Sequence, residues 1–146
     1  MRIVLFSFLG FLACEPVDDT FREETPQEQL SWTDTVTTED GRYQLDLSHE
    51  PDPPQLGPFS MNMEIGILND NPCFSGAALL NAKVRLLGVA SEDGPAGLLE
   101  VEAIEQGGGA YAANWSFAQG GYWEIVIEVG AGEDTDSAVI GLVVED

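Results

Sequence analysis

GGGAYAANWSFAQGGYWEIVIEV, running from Gly107 to Val129, is the stretch that decides the fold. Two β-patterned runs, Tyr111 to Phe117 and Tyr122 to Val129, flank Ala118-Gln119-Gly120-Gly121, a glycine-containing connection of hairpin length. In the second run Trp123, Ile125, Ile127 and Val129 fall on one face, and Tyr122, Glu124, Val126 and Glu128 on the other. One face therefore reads as buried and the other as partly wet. Tyr111, Gly121 and Trp123 are the positions that define this hairpin. Nothing in it carries chemistry.

On either side the chain keeps the same texture of short alternating runs broken by turn clusters. Arg42 to Ser48 places Tyr43, Leu45 and Leu47 in phase, and Pro51-Asp52-Pro53-Pro54 then stops the strand. Phe59 to Asn69 brings Phe59, Met61, Met63, Ile65 and Ile67 into phase, and Asn69-Asp70-Asn71-Pro72 reads as a turn. Lys83 to Gly88 and Leu98 to Ile104 read as strands around a turn at Ser91 to Pro95. Ser137 to Glu145 closes the set after an acidic turn at Gly130 to Asp136. A short helical turn near Ser75 to Leu80 is the one helical feature expected. About seven strands at this spacing predict an all-β fold, an immunoglobulin-like antiparallel β-sandwich over residues 41–146.

The chain has 146 residues, enough for one real core plus attachments. Five Lys and Arg against 26 Asp and Glu give a formal net charge of -21. A polyanion would be repelled, so nucleic acid is excluded as a partner. The acidity itself reads as a solvated surface.

Met1-Arg2 followed by an apolar run from Ile3 to Leu12 is too short to span a bilayer but suits a signal-peptide core. It ends in Phe11-Leu12-Ala13-Cys14, which resembles a bacterial lipobox although Phe11 stands where Leu is usual. Residues 1–13 then form a lipoprotein signal peptide and Cys14 the lipidated first residue of the mature chain. Glu15 after the cysteine points to the outer membrane. Residues 14–40 are rich in Glu, Asp, Thr, Pro and Gln, and read as a disordered acidic tether between membrane and domain. Phe21, Leu30 and Trp32 are isolated apolar residues within it. With Cys14 lipidated, Cys73 is the only thiol left and no internal disulfide forms, whereas an unprocessed Cys14 leaves a Cys14–Cys73 bridge open in an oxidising compartment. Cys73 has no basic neighbour in sequence and reads as a small apolar turn residue.

Taken together, Pro54 to Gly57, Gly76 to Leu86, Gly109-x-Tyr111, Phe117 and Gly121-x-Trp123 resemble the YtkA-like domain. That family is a small secreted β-sandwich of bacterial lipoproteins, related to the accessory protein FixH. The resemblance runs from about Pro54 to Val129 and implies copper handling or an oxidase-assembly context. The segment in which many members carry Met, Pro and His here reads LLGVASEDGPAGL, from Leu86 to Leu98, with no Met and no His.

His49, Met61, Met63 and Cys73 are the candidate soft metal ligands, suited to Cu(I). Periodicity puts Met61 and Met63 in the core, and His49 reads as a solvent-facing residue at a strand end. Calcium would have to use Glu133, Asp134 and Asp136 with Glu92 and Asp93, but no EF-hand spacing is present. One histidine and no nucleophile motif give no catalytic set, and Gly107-Gly108-Gly109 reads as a flexible turn and not as a phosphate loop. The function expected is a lipid-anchored, periplasm-facing binding or structural module without catalysis or cofactor, acting on an unidentified envelope protein. The alternative is a periplasmic accessory protein handling Cu(I).

Overall fold

Period-two alternation is what places every strand. The computed structural model describes residues 33–68, 76–91 and 97–146. Within them lie β1 (Thr33–Thr37), β2 (Tyr43–Glu50), β3 (Gly57–Ile67), β4 (Ala77–Ala78) and β5 (Lys83–Ala90). They continue as β6 (Leu98–Gly107), β7 (Ala110–Phe117), β8 (Gly121–Ala131) and β9 (Asp134–Val144). The signal peptide with Cys14, most of the tether, Cys73 and the turns at 69–75 and 92–96 lie outside the described residues.

The strands pair antiparallel in the order β1-β2-β3-β7-β6-β5-β8-β9, with β4 added beside β3. β6 is the strand that folds this ribbon over. Its first part pairs with β5, from Leu98 against Val89 to Ala103 against Val84. Its last part pairs with β7, Ile104 against Ala112 and Gly107 against Ala110, through an irregularity between Glu105 and Gly107. Such a bulge bends a strand and raises its twist, which lets one strand serve two layers. The layers are thus β1-β2-β3-β7 and β6-β5-β8-β9, an all-β antiparallel sandwich.

Inward residues of both layers make the core. Leu45, Leu47, Met61, Met63 and Ile65 from the first layer meet Val84, Leu86, Trp123, Ile125 and Ile127 from the second, all of them buried. Each such side chain contributes about 1.5–3 kcal/mol by leaving water. The loose ends of the layers are also joined. Glu39 N–H donates to Ser137 O at 2.8 Å, while Leu56 N–H donates to Glu145 O at 3.1 Å and Glu145 N–H to Pro54 O at 2.9 Å.

Seven of these strands, β2, β3 and β5 to β9, are the seven that alternation predicts. Three segments differ from expectation. Thr33–Thr37 is not tether: it pairs with β2 from Thr33 against Ser48 to Thr37 against Gln44. Its sequence, TDTVT, has only Val36 to bury, and edge pairing needs backbone groups rather than apolar side chains. In place of a helical turn, Ala77 and Ala78 pair with Ile67 and Gly66. The β6–β7 connection is also no loose glycine run. Gly107, Gly108 and Gly109 have φ of 101°, 64° and 84°, and a Cβ on Gly109 would lie 2.9 Å from the Ala78 Cβ. Three successive positive φ values are affordable only to glycine.

Candidate functional site

The soft metal ligands are drawn together by the β2–β3 register. His49 pairs with Met61 and Leu47 with Met63. His49 is not solvent-facing: it is 2% exposed, against 0% for Met61 and 1% for Met63. The reason is phase, since His49 follows Tyr43, Leu45 and Leu47 at the same spacing on a strand that runs to Glu50. Its ring lies 5.2 Å from that of Phe59, and Nδ1 lies 2.9 Å from Pro51 O. A carbonyl only accepts, so Nδ1 is the donor in this bond. The imidazole and two thioethers thus share one inner surface, packed as core. Cys73, the fourth candidate, lies outside the described residues. No group of three or more His, Cys, Asp and Glu side chains is placed to hold a metal among the described residues.

The acidic residues near β9 have other work. Asp136 is buried, and its Oδ1 accepts from Asp40 N–H at 3.1 Å and Ser137 N–H at 2.8 Å, while Oδ2 accepts from Arg42 N–H at 3.3 Å. Burial pushes this carboxyl upward, but the Thr38 hydroxyl and the three backbone donors outweigh it and hold it below its ordinary value. Asp134 pairs with Arg42 at 2.8 Å. Asp134 and Asp136, two of the carboxylates expected for calcium, are therefore bound to the protein itself, and Glu92 and Asp93 lie outside the described residues.

An aromatic row runs from the His49 end of the first layer toward Trp123. Phe59 lies 4.6 Å from Trp115 and 5.0 Å from Phe117, and Phe117 lies 5.1 Å from Trp123. Trp123 donates its indole N–H to Gln119 O at 3.1 Å, which fixes the β7–β8 connection beside Gly121, at φ 97°. The indole N–H of Trp115 is buried with no acceptor. It borders a shallow groove lined with Pro51, Pro58, Phe59 and Asn114. Tyr111, the other hairpin marker, is 1% exposed and ties β7 to the segment before β5.

The two outer faces of the sandwich differ in chemistry. On the first layer Gln44, Asp46, Ser48 and Glu50 stand beside Ser60, Asn62 and Glu64, with Ala112 and Asn114 next in register. That face is polar. On the second layer Val89 faces Leu98 on one side and Glu124 on the other, Leu87 faces Val126, Val126 faces Val139, and Tyr122 faces Val143. Val89, Leu98, Tyr122, Val139 and Val143 are 46–69% exposed. Arg85 is held at the charged end of this face, donating to Glu128 Oε2 from Nη2 at 2.7 Å and Nε at 3.0 Å. Separate exposed apolar residues are ordinary, whereas a set made contiguous by register marks an interaction surface. Sequence reasoning marked Tyr122 and Val126 as outward but did not assemble the face. Only the cross-strand registers do so.

No protein-family model matches the chain, and no curated protein matches it. Among solved structures it is similar to the soluble domain of PmoD from Methylocystis sp. ATCC 49242 (Rockwell). That similarity has 16% identity and a TM-score of 0.48, and covers 75% of this chain and 97% of that one.

Proposed function

We propose that this chain is a non-catalytic binding module of the bacterial cell envelope, held near the membrane by lipid on Cys14 and acting through contact with another protein. The observation that carries the reading is the apolar patch that Leu98, Val89, Leu87, Val126, Val139, Tyr122 and Val143 form around Glu124 on the outer face of β6-β5-β8-β9, bordered by Glu100 and set against a polar face on the opposite layer. Leu98 and Val89 sit at its β6–β5 end and project into water, so a partner gains by covering them. The lipobox-like Phe11 to Cys14 and the acidic spacer supply the anchor in this reading. Val89→Asp with Leu98→Asp tests it: binding of the envelope partner should fall while the far-ultraviolet circular dichroism stays unchanged. A partner bound equally well by the double variant would remove the face from consideration.

A second reading has one observation of its own. The β2–β3 register sets His49 opposite Met61, with Met63 next on the same inner face. Imidazole and thioether are donors suited to Cu(I), which is the chemistry implied by the YtkA-like resemblance. Against it stands burial, because an ion there would displace packed side chains from the centre of the first layer. In this reading His49 Nε2 and the two sulfurs would hold the ion, which is cargo and not a resident cofactor.

A further inference from the structure

Glu124 stands inside the apolar patch of the second layer. Across the ladder it faces Val89 on β5, and Val89 in turn faces Leu98 on β6. On its other side it faces Gly141 on β9. A Cβ at Gly141 would lie 2.6 Å from the Tyr122 hydroxyl and 2.8 Å from its ring Cε2, so the Tyr122 ring lies across that glycine. Two aliphatic side chains and one aromatic ring therefore flank this carboxylate.

Glu124 is exposed, and among the described residues no cation or hydrogen-bond donor engages its side chain. The cations of the described residues are committed or distant. Arg42 pairs with Asp134, and Arg85 with Glu128 and Glu100. Lys83 stands opposite Gly130 at the far end of β8, about 20 Å from Glu124 at the rise of a strand. In the free chain the solvation of Glu124 comes from water.

A partner that covers Leu98, Val89 and Tyr122 strips that water away. An unpaired carboxylate in an apolar interface is strongly disfavoured, whereas a paired one is tolerated. We propose that the envelope partner sets a basic side chain, flanked by apolar ones, onto Glu124. Arginine fits the position better than lysine, because its fork meets both carboxylate oxygens while its plane stacks on the Tyr122 ring. The wider field agrees with this choice. The chain carries a net charge of -21, and Glu100 and Glu102 lie along the β6 side of the face, so a basic surface is drawn in and an acidic one repelled. A second copy of this chain is the poorer fit, since its face brings Glu100, Glu102, Glu124 and Glu128 against Lys83 and Arg85. This inference rests on the face proposed above for a partner and adds the chemistry of what binds there.

The test uses the full chain in cells with a diazirine amino acid at Leu98, read as the yield of the partner adduct at matched expression. Glu124→Leu enlarges the apolar patch, so apolar contact alone and charge pairing predict changes of opposite sign. Pairing at Glu124 makes the adduct fall about tenfold or more in Glu124→Leu and disappear in Glu124→Arg. An unchanged circular dichroism spectrum checks the fold of each variant. Digestion of the wild-type adduct with a protease that spares basic residues, followed by mass spectrometry, should place an arginine or lysine among apolar residues at the insertion point. An adduct that persists or grows in Glu124→Leu, or a mapped segment without a basic residue, overturns the inference and leaves the face standing. No adduct from the wild type removes the face and this inference together.

Discussion

The hydroxyl of Tyr111 donates to the carbonyl of Leu79 at 2.9 Å, and the same oxygen accepts the N–H of Ala82 at 3.1 Å. One side chain on β7 thereby satisfies two backbone groups of the segment that leads from β4 into β5. Burial is the largest influence on this phenol and pushes it above its ordinary value, so it stays protonated and able to donate. Tyr111→Phe keeps the ring and leaves Leu79 O and Ala82 N–H without that partner. Denaturant unfolding should show a loss of about 1–3 kcal/mol, the cost of unmet buried backbone groups. A change within error would mean that water replaces the hydroxyl at no cost.

Asp136 does the same for the β1–β2 turn with a charge. Asp136→Ala should cost about 2–3 kcal/mol at neutral pH, since charge-assisted bonds to Asp40, Arg42 and Ser137 disappear together. Its pH dependence has a fixed sign. The folded carboxyl lies below its ordinary value of 3.8, so the stabilisation is fully present above about pH 4 and is lost as pH falls through the folded value. Urea titrations from neutral pH down should show wild type and Asp136→Ala converging in acid. Parallel curves would contradict the assignment.

Trp123 is 1% exposed, packs on Phe117 and donates to Gln119 O. Trp123→Ala should cost about 3–5 kcal/mol. For a domain of this size that is a large share of the whole stability, and much of the protein should unfold at ambient temperature. Trp123→Phe should recover most of the loss, because it refills the ring site and forgoes only the indole N–H.

Copper distinguishes the two functional readings. A Cu(I) competition titration on reduced protein, beside a Met61→Leu/Met63→Leu/His49→Ala variant, should show no tight site that the variant loses. A tight one-site isotherm abolished in the variant would favour the accessory reading.

The strands were largely legible in the sequence because alternation is a local signal, and Tyr43 to Leu47, Phe59 to Ile67 and Trp123 to Val129 repeat it without interruption. His49 was misread although the same period covers it. A polar ring at the end of a run looks like a solvent-facing residue until β2 is seen to extend to Glu50. Thr33–Thr37 carries almost no apolar signal, since an edge strand is held by backbone bonds. The candidate interaction face lay further out of reach. Leu87, Val89, Leu98, Tyr122, Val139 and Val143 come from four strands, and their adjacency depends on registers that no single stretch encodes.

Photo-crosslinking in cells is the most direct test of the face. A diazirine amino acid at Leu98 or Val89 reports on the second layer, and one at Asn62 or Asn114 on the first. The account predicts a discrete adduct with an envelope protein from Leu98 and Val89 and none from Asn62 or Asn114. Equal labelling from both layers, or adducts from the polar layer alone, would contradict it.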